Sequence, residues 1–200
     1  KNGGVFVADE VQPGFARTGQ AFFGFARHGI VPDMITMGKP MGNGIPISGL
    51  AAKEDVLAAF SDKLPYFNTF GGNPVSIAAA QAVLKYIKDE NLQEHCKKAG
   101  AALLKALKEV QERHPESVGD VRGAVLFLGF EFVKNDGNKT PDKDMALNVI
   151  EMLRDEHILT SVIGHYGNIL KLRPPMVFSE NDIDWFATSL DKCITKLENK

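Results

Sequence analysis

Short apolar runs and amphipathic stretches alternate along the first half of the chain. Residues 5–8 (VFVA), 34–37 (MITM) and 47–51 (ISGLA) are too short for helices and are bounded by Gly, Pro or Asp, which predicts strands. The first run shows no polar alternation, so it is expected to be buried on both faces, as in a parallel sheet. A Gly- and Pro-containing loop follows at 12–19. Residues 20–28 allow a short helix, and 53–60 have helical spacing. The stretch 66–74 (YFNTFGGNP) is rich in turn residues. Asn73 is a good N-cap and Pro74 suits a first helical turn, so 75–88 (VSIAAAQAVLKYIK) opens as a helix with an Ala-rich face.

From there the texture changes. Residues 91–113 carry apolar positions at Leu92, Ala99, Leu103, Leu104, Leu107 and Val110, and His114-Pro115 stops that helix. Residues 118–122 and 124–133 read as a hairpin-like pair of strands, with Phe130 and Phe132 set against Glu131. A polar turn leads to a helix near 142–156, and two strands, 158–163 and 168–173, flank a turn. Ser179 with Asp182 opens a last helix, to about 197, as a capping box. The pattern predicts an α/β first domain, residues 1–90, and an α+β second domain, residues 91–200.

Composition narrows the function. The 200 residues hold 23 Lys+Arg against 25 Asp+Glu, a net charge of -2, with 44% hydrophobic and 24% charged residues. This balance excludes a disordered chain and an electrostatic nucleic-acid binder. No apolar run reaches about 18 residues, so no membrane helix is expected. Cys96 and Cys193 lack a CxxC spacing, which fits a reducing, cytoplasmic setting better than a disulfide framework. The five histidines show no HxxxH or HExxH spacing, so no metal site is expected. The chain opens on Lys1-Asn2-Gly3-Gly4 rather than Met, shows no signal-peptide pattern and enters a strand at once. It therefore reads as a piece of a longer chain.

Two residues stand out chemically. Asp9 closes the first apolar strand, where α/β sheets place ligands, although a turn or cap aspartate would look the same. Glu10 beside it reads as a salt-bridge or packing-edge residue. Lys39 closes the second run between Gly38 and Pro40, where partial desolvation would make its amine nucleophilic; the alternative is an ordinary exposed lysine. Together they are the two protein groups that pyridoxal phosphate requires: an amine to form a Schiff base with its aldehyde, and a carboxylate to keep its pyridine nitrogen protonated.

Three blocks, ADEVQPGFARTG (8–19), DMITMGKPMGNGIPISG (33–49) and NTFGGNPVSIAAA (68–80), occur in the order and spacing of the class III aminotransferases, which the sequence resembles. The likeness continues through GDVRG (119–123) and LKLRPPMVFS (170–179). It implies the aspartate-aminotransferase-like α/β fold (fold type I), with residues 1–90 as the C-terminal half of the cofactor-binding large domain and 91–200 as the small domain. It implies that Asp9 pairs with the pyridinium nitrogen, Val11 packs on the ring, Gln12 lies near the phenolic oxygen and Lys39 bonds the aldehyde carbon. Thr69 would reach the phosphate of a neighbouring subunit in a homodimer with a shared active site, although a plain turn threonine is the alternative reading of that residue. Lys171 stands where many members have a carboxylate-binding arginine, and Arg173 follows two residues later; a surface cationic pair is the other reading. The implied reaction is amino transfer from an amino acid or amine to a 2-oxo acid. Alternatives are the ethanolamine-phosphate phospho-lyase-like branch, which eliminates phosphate from a phosphorylated amino alcohol, and a non-catalytic fragment. Members are more than twice this long, so these 200 residues alone are expected not to transaminate.

Overall fold

A computed structural model describes residues 2–199. The chain divides into two compact units, 1–94 and 95–200. The first holds a three-stranded sheet in the order β1 (Val7–Asp9), β2 (Met34–Met37), β3 (Gly49–Ala52). β1 and β2 are parallel, with Ala8 opposite Ile35 and Asp9 opposite Thr36, and β3 returns antiparallel. Helices α1 (Glu54–Ser61) and α2 (Pro74–Asp89) follow. Asn73 caps α2 through its side-chain oxygen, which accepts from the amides of Val75 and Ser76, and Pro74 occupies the first turn.

Two expectations for this unit change. The predicted helix over 20–28 is only a short 3-10 helix, Gly24–His28, because the loop before it is held in left-handed turns at Phe15 and Ala16. The first strand is not buried on both faces: Ala8 is buried, but Val5, Phe6 and Val7 remain about half exposed. Three strands, with an α1 that buries no side chain and an α2 that buries only Ile87, do not cover both sides of β1.

The second unit carries the large core. Its four-stranded antiparallel sheet runs β4 (Val118–Ala124), β5 (Phe127–Phe132), β7 (Ile169–Leu172), β6 (Ser161–Ile163). Alternation sends Leu128, Phe130 and Phe132 of β5, and Leu170 and Leu172 of β7, into one face. That face meets the apolar stripes of α3 (Leu92–Arg113), α4 (Lys143–Asp155) and α5 (Glu180–Glu198). On α3 the stripe is Cys96, Ala99, Leu103, Leu107 and Val110, the spacing of one helical face. The Ser179–Asp182 capping box forms as the sequence indicates. The continuous strand read over 124–133 is interrupted instead: Val125 and Leu126 make a two-residue turn, with Val125 at φ 55° and Leu126 fully buried.

Candidate active site

Parallel pairing sends the carboxyl ends of β1 and β2 to the same edge of the sheet. Asp9 is the last residue of β1, and Lys39 leaves two residues after β2 ends. The amide of Glu10 donates to the carbonyl of Thr36 at 2.9 Å, tying the two strand ends together. Lys39 sits at a corner of a tight turn closed by the Met41 amide on the Gly38 carbonyl at 2.8 Å. Its φ of 30° is a conformation that L-residues avoid, and more so before proline. Such backbone strain costs about 1–3 kcal/mol and is characteristic of functional positions.

The sequence anticipated partial desolvation of Lys39. Among the described residues its side chain is exposed, although Gly38 and Gly42 of the same turn are buried, and its amine has no hydrogen bond or ion pair there. Asp9 is exposed too. One of its oxygens accepts the Val11 amide at 3.0 Å, and the other has no partner among the described residues. Val11 is half-buried and Gln12 is exposed, both on the loop that leaves this edge. Thus Asp9, Val11, Gln12 and Lys39 gather at one edge. Thr69 does not join them through any hydrogen bond; it lies exposed in the loop between α1 and α2.

Glu10 packs more deeply than the salt-bridge or packing-edge position expected of it. It is only 2% exposed and makes no ion pair among the described residues. Its carboxylate accepts the amides of Gly24 at 2.7 Å and Phe25 at 2.8 Å. Those partners lie 14 and 15 residues further on, so no local pattern signals the contact.

Lys171 and Arg173 lie in the second unit. Both line a cleft of about 460 Å³, with Thr160, Ser161, Pro175 and Phe186 also on its walls. Their surroundings differ. Arg173 donates to the carbonyls of Leu128 at 2.6 Å and Leu172 at 2.8 Å, and its guanidinium lies 3.3 Å from the centre of the Phe127 ring. Lys171 is half-buried on β7, and its amine has no partner among the described residues. Of the two cations, Lys171 is the one available to an anion. Among the described residues no cluster of His, Cys, Asp and Glu could hold a metal ion.

The family model described as aminotransferase class-III matches residues 1–194. The chain is 43% identical over 197 residues to ethanolamine-phosphate phospho-lyase homolog 1 of Caenorhabditis elegans, covering 97% of this chain and 42% of that protein. It is 40% identical over 197 residues to the mitochondrial alanine–glyoxylate aminotransferase 2 homolog 2 of Arabidopsis thaliana, covering 98% and 41%. Among solved structures, a phospholyase from Arthrobacter in complex with phosphoethanolamine matches with a TM-score of 0.93 and 38% identity, covering 96% of this chain and 46% of that one. The chain thus spans less than half the length of these relatives.

Proposed function

The chain belongs to the class III aminotransferases and has their α/β, aspartate-aminotransferase-like fold (fold type I); from that premise we propose that it contributes half of a pyridoxal-phosphate site to an aminotransferase. The reaction is transfer of an amino group from an amino acid or amine to a 2-oxo acid. Residues 1–90 form the C-terminal half of the cofactor-binding large domain, and 91–200 the small domain.

The donor set at the sheet edge fits the cofactor group by group. Among the described residues one oxygen of Asp9 is unpartnered and suits the protonated ring nitrogen, and the Lys39 amine, likewise unpartnered there, suits the aldehyde. The exposed amide of Gln12 suits the phenolic oxygen, and half-buried Val11 offers an apolar surface to the ring. When bound, pyridoxal phosphate supplies an electron sink next to the substrate amine. Lys39 binds the cofactor and carries the proton at its Nζ. Asp9 holds the ring nitrogen in its protonated form, and the Val11 amide keeps the carboxylate oriented. Thr69, exposed and without a partner among the described residues, serves the phosphate of a second subunit in a homodimer that shares its two sites. Lys171 takes the anionic group of the substrate, in the cleft that Arg173 also lines. Cys96 and Cys193 are buried and not joined in a disulfide, which supports a reducing, cytoplasmic setting. The observation that carries this reading is the convergence of Asp9 and Lys39 at the carboxyl edge of two parallel strands, with one Asp9 oxygen and the Lys39 amine unpartnered among the described residues.

A second reading, elimination of phosphate from a phosphorylated amino alcohol such as phosphoethanolamine, is favoured by one feature. The free cation in the cleft is a lysine, a compact charge suited to phosphate, rather than an arginine forked for a carboxylate. The intact protein, loaded with pyridoxal phosphate and given amino donors or phosphoethanolamine without a 2-oxo acid, separates the two. Conversion of the cofactor to its amine form without free phosphate is the expected result. Phosphate release with the cofactor spectrum restored would establish the lyase. No spectral change with any donor would favour a non-catalytic role.

A further inference from the structure

We propose that Glu10 is a positioning residue, a buried latch that fixes the loop carrying Val11 and Gln12 and so sets the geometry of the Asp9 edge. The inference rests on the cofactor reading of that edge. Glu10 ties down four backbone groups. Its amide donates to Thr36 on β2 at 2.9 Å and its carbonyl accepts from Gly14 at 3.1 Å. Its carboxylate accepts from Gly24 at 2.7 Å and from Phe25 at 2.8 Å. One side chain therefore closes the whole excursion from the end of β1 to the 3-10 helix.

The loop backbone packs closely around Glu10. A Cβ added at Gly14 would lie 2.7 Å from the Glu10 carbonyl oxygen, and one at Gly24 would lie 2.7 Å from Pro13 and 3.3 Å from the carboxylate. Within the loop, Phe15 and Ala16 are held at φ 60° and 64°, and the Ala16 amide reaches the Phe22 carbonyl at 2.9 Å. The rings of Phe15, Phe22 and Phe23 close over it, with centroids 5.0 to 6.4 Å apart. Thr18 is buried there with a hydroxyl that finds no partner among the described residues. A loop holding two left-handed non-glycine residues and an unsatisfied buried hydroxyl keeps its shape only if something else over-determines it. The paired acceptor oxygens of Glu10 do so. Glutamine is a poor replacement: one of its two terminal groups is a donor and would face an amide hydrogen.

The test uses the intact protein with Glu10→Gln and Asp9→Asn. Three quantities are read: hydrogen exchange at the Gly24 and Phe25 amides without cofactor, pyridoxal-phosphate affinity with the position of its visible band, and unfolding of the second unit. For E10Q, exchange at both amides should accelerate about tenfold and cofactor affinity should fall about tenfold, the factor carried by one lost hydrogen bond to a charged group. The second unit should be unchanged. D9N should weaken cofactor binding while leaving both amides protected. Faster exchange in E10Q with unaltered affinity and band would reduce Glu10 to a stability role and overturn the inference, as would unaltered exchange. Full cofactor affinity in D9N would instead overturn the reading of the Asp9 edge. Should E10Q not fold, Gly24→Ala strains the same latch against Pro13 while keeping both acceptor oxygens of Glu10, and the same paired change is expected.

Discussion

Gly100 lies on α3 where the helix crosses the β4–β5 turn, and replacing it with alanine sets two effects against each other. Alanine gains about 1 kcal/mol of helix propensity over glycine in a helix interior. Against this, a Cβ at position 100 would lie 2.5 and 2.6 Å from the Cα and carbonyl carbon of Val125, and 2.8 Å from its Cγ1. Carbon atoms pack best at about 3.5–4.0 Å, so the helix and the turn must part by about 1 Å. The obstacle is backbone, and it has little room to yield. Val125 is already a β-branched residue at φ 55°, next to the fully buried Leu126. Overpacking of this kind costs about 1–3 kcal/mol, with backbone obstacles toward the upper end. The net expectation is a loss of about 1–2 kcal/mol after the propensity gain is subtracted. Urea unfolding followed at Trp185 on α5, the one tryptophan of the chain, reads this directly. The midpoint should fall by roughly 0.5–1 M at unchanged slope. A G100A protein as stable as its parent, or more so, would refute the packing described between α3 and the turn.

Other consequences follow from single contacts. Lys171→Ala should raise KM for anionic substrates with little change in unfolding midpoint. Arg173→Ala should lower the stability of the second unit by about 1–3 kcal/mol, because it removes the bond to Leu128 and the stacking on Phe127; steady-state kinetics and melting of both variants decide it. The Ser179 hydroxyl and amide donate to Asp182 at 2.7 and 2.8 Å and hold its carboxyl below the ordinary carboxylate range. That stabilisation is complete above about pH 4 and is lost as pH falls through the lowered value. Ser179→Ala should cost about 1 kcal/mol near neutrality and flatten the acid side of the stability–pH curve, seen in urea melts across pH. Burial pushes the Cys193 thiol up, and Cys96 is fully buried. Iodoacetamide at about pH 8 should leave both unmodified in the folded protein, and stability should fall as pH rises past the ordinary thiol range, by peptide mapping and alkaline melts.

Much of this structure was legible because its signals are local. Asn73-Pro74 and the Ser179–Asp182 pair mark helix starts through contacts within one turn, and the structure forms both. The α3 stripe follows from period alone. What was not legible depends on partners distant in sequence. The Val125–Leu126 turn contains no turn-forming residue. It exists because Leu126 is buried and Gly100 lets α3 approach, so the sequence reads as one unbroken strand. Glu10 reads as a salt-bridge or packing-edge residue because its donors, Gly24 and Phe25, lie beyond a loop. The candidate site divides the same way. Asp9 and Lys39 are marked by strand ends and glycines, and parallel pairing sends both to one edge. The desolvation expected of Lys39 requires atoms packed over its side chain, which is exposed among the described residues. Lys171 and Arg173 look equivalent at a period of two, yet the Phe127 ring and the Leu128 carbonyl engage only the arginine.

The central claim is that Lys39 is the residue that binds pyridoxal phosphate. Borohydride treatment of the intact, cofactor-loaded protein, followed by proteolysis and peptide mass mapping, tests it most directly. A pyridoxyl-phosphate adduct on the peptide carrying Lys39, absent from Lys39→Ala, is the predicted result. An adduct on another lysine, or undiminished labelling of the Lys39→Ala protein, would contradict the assignment.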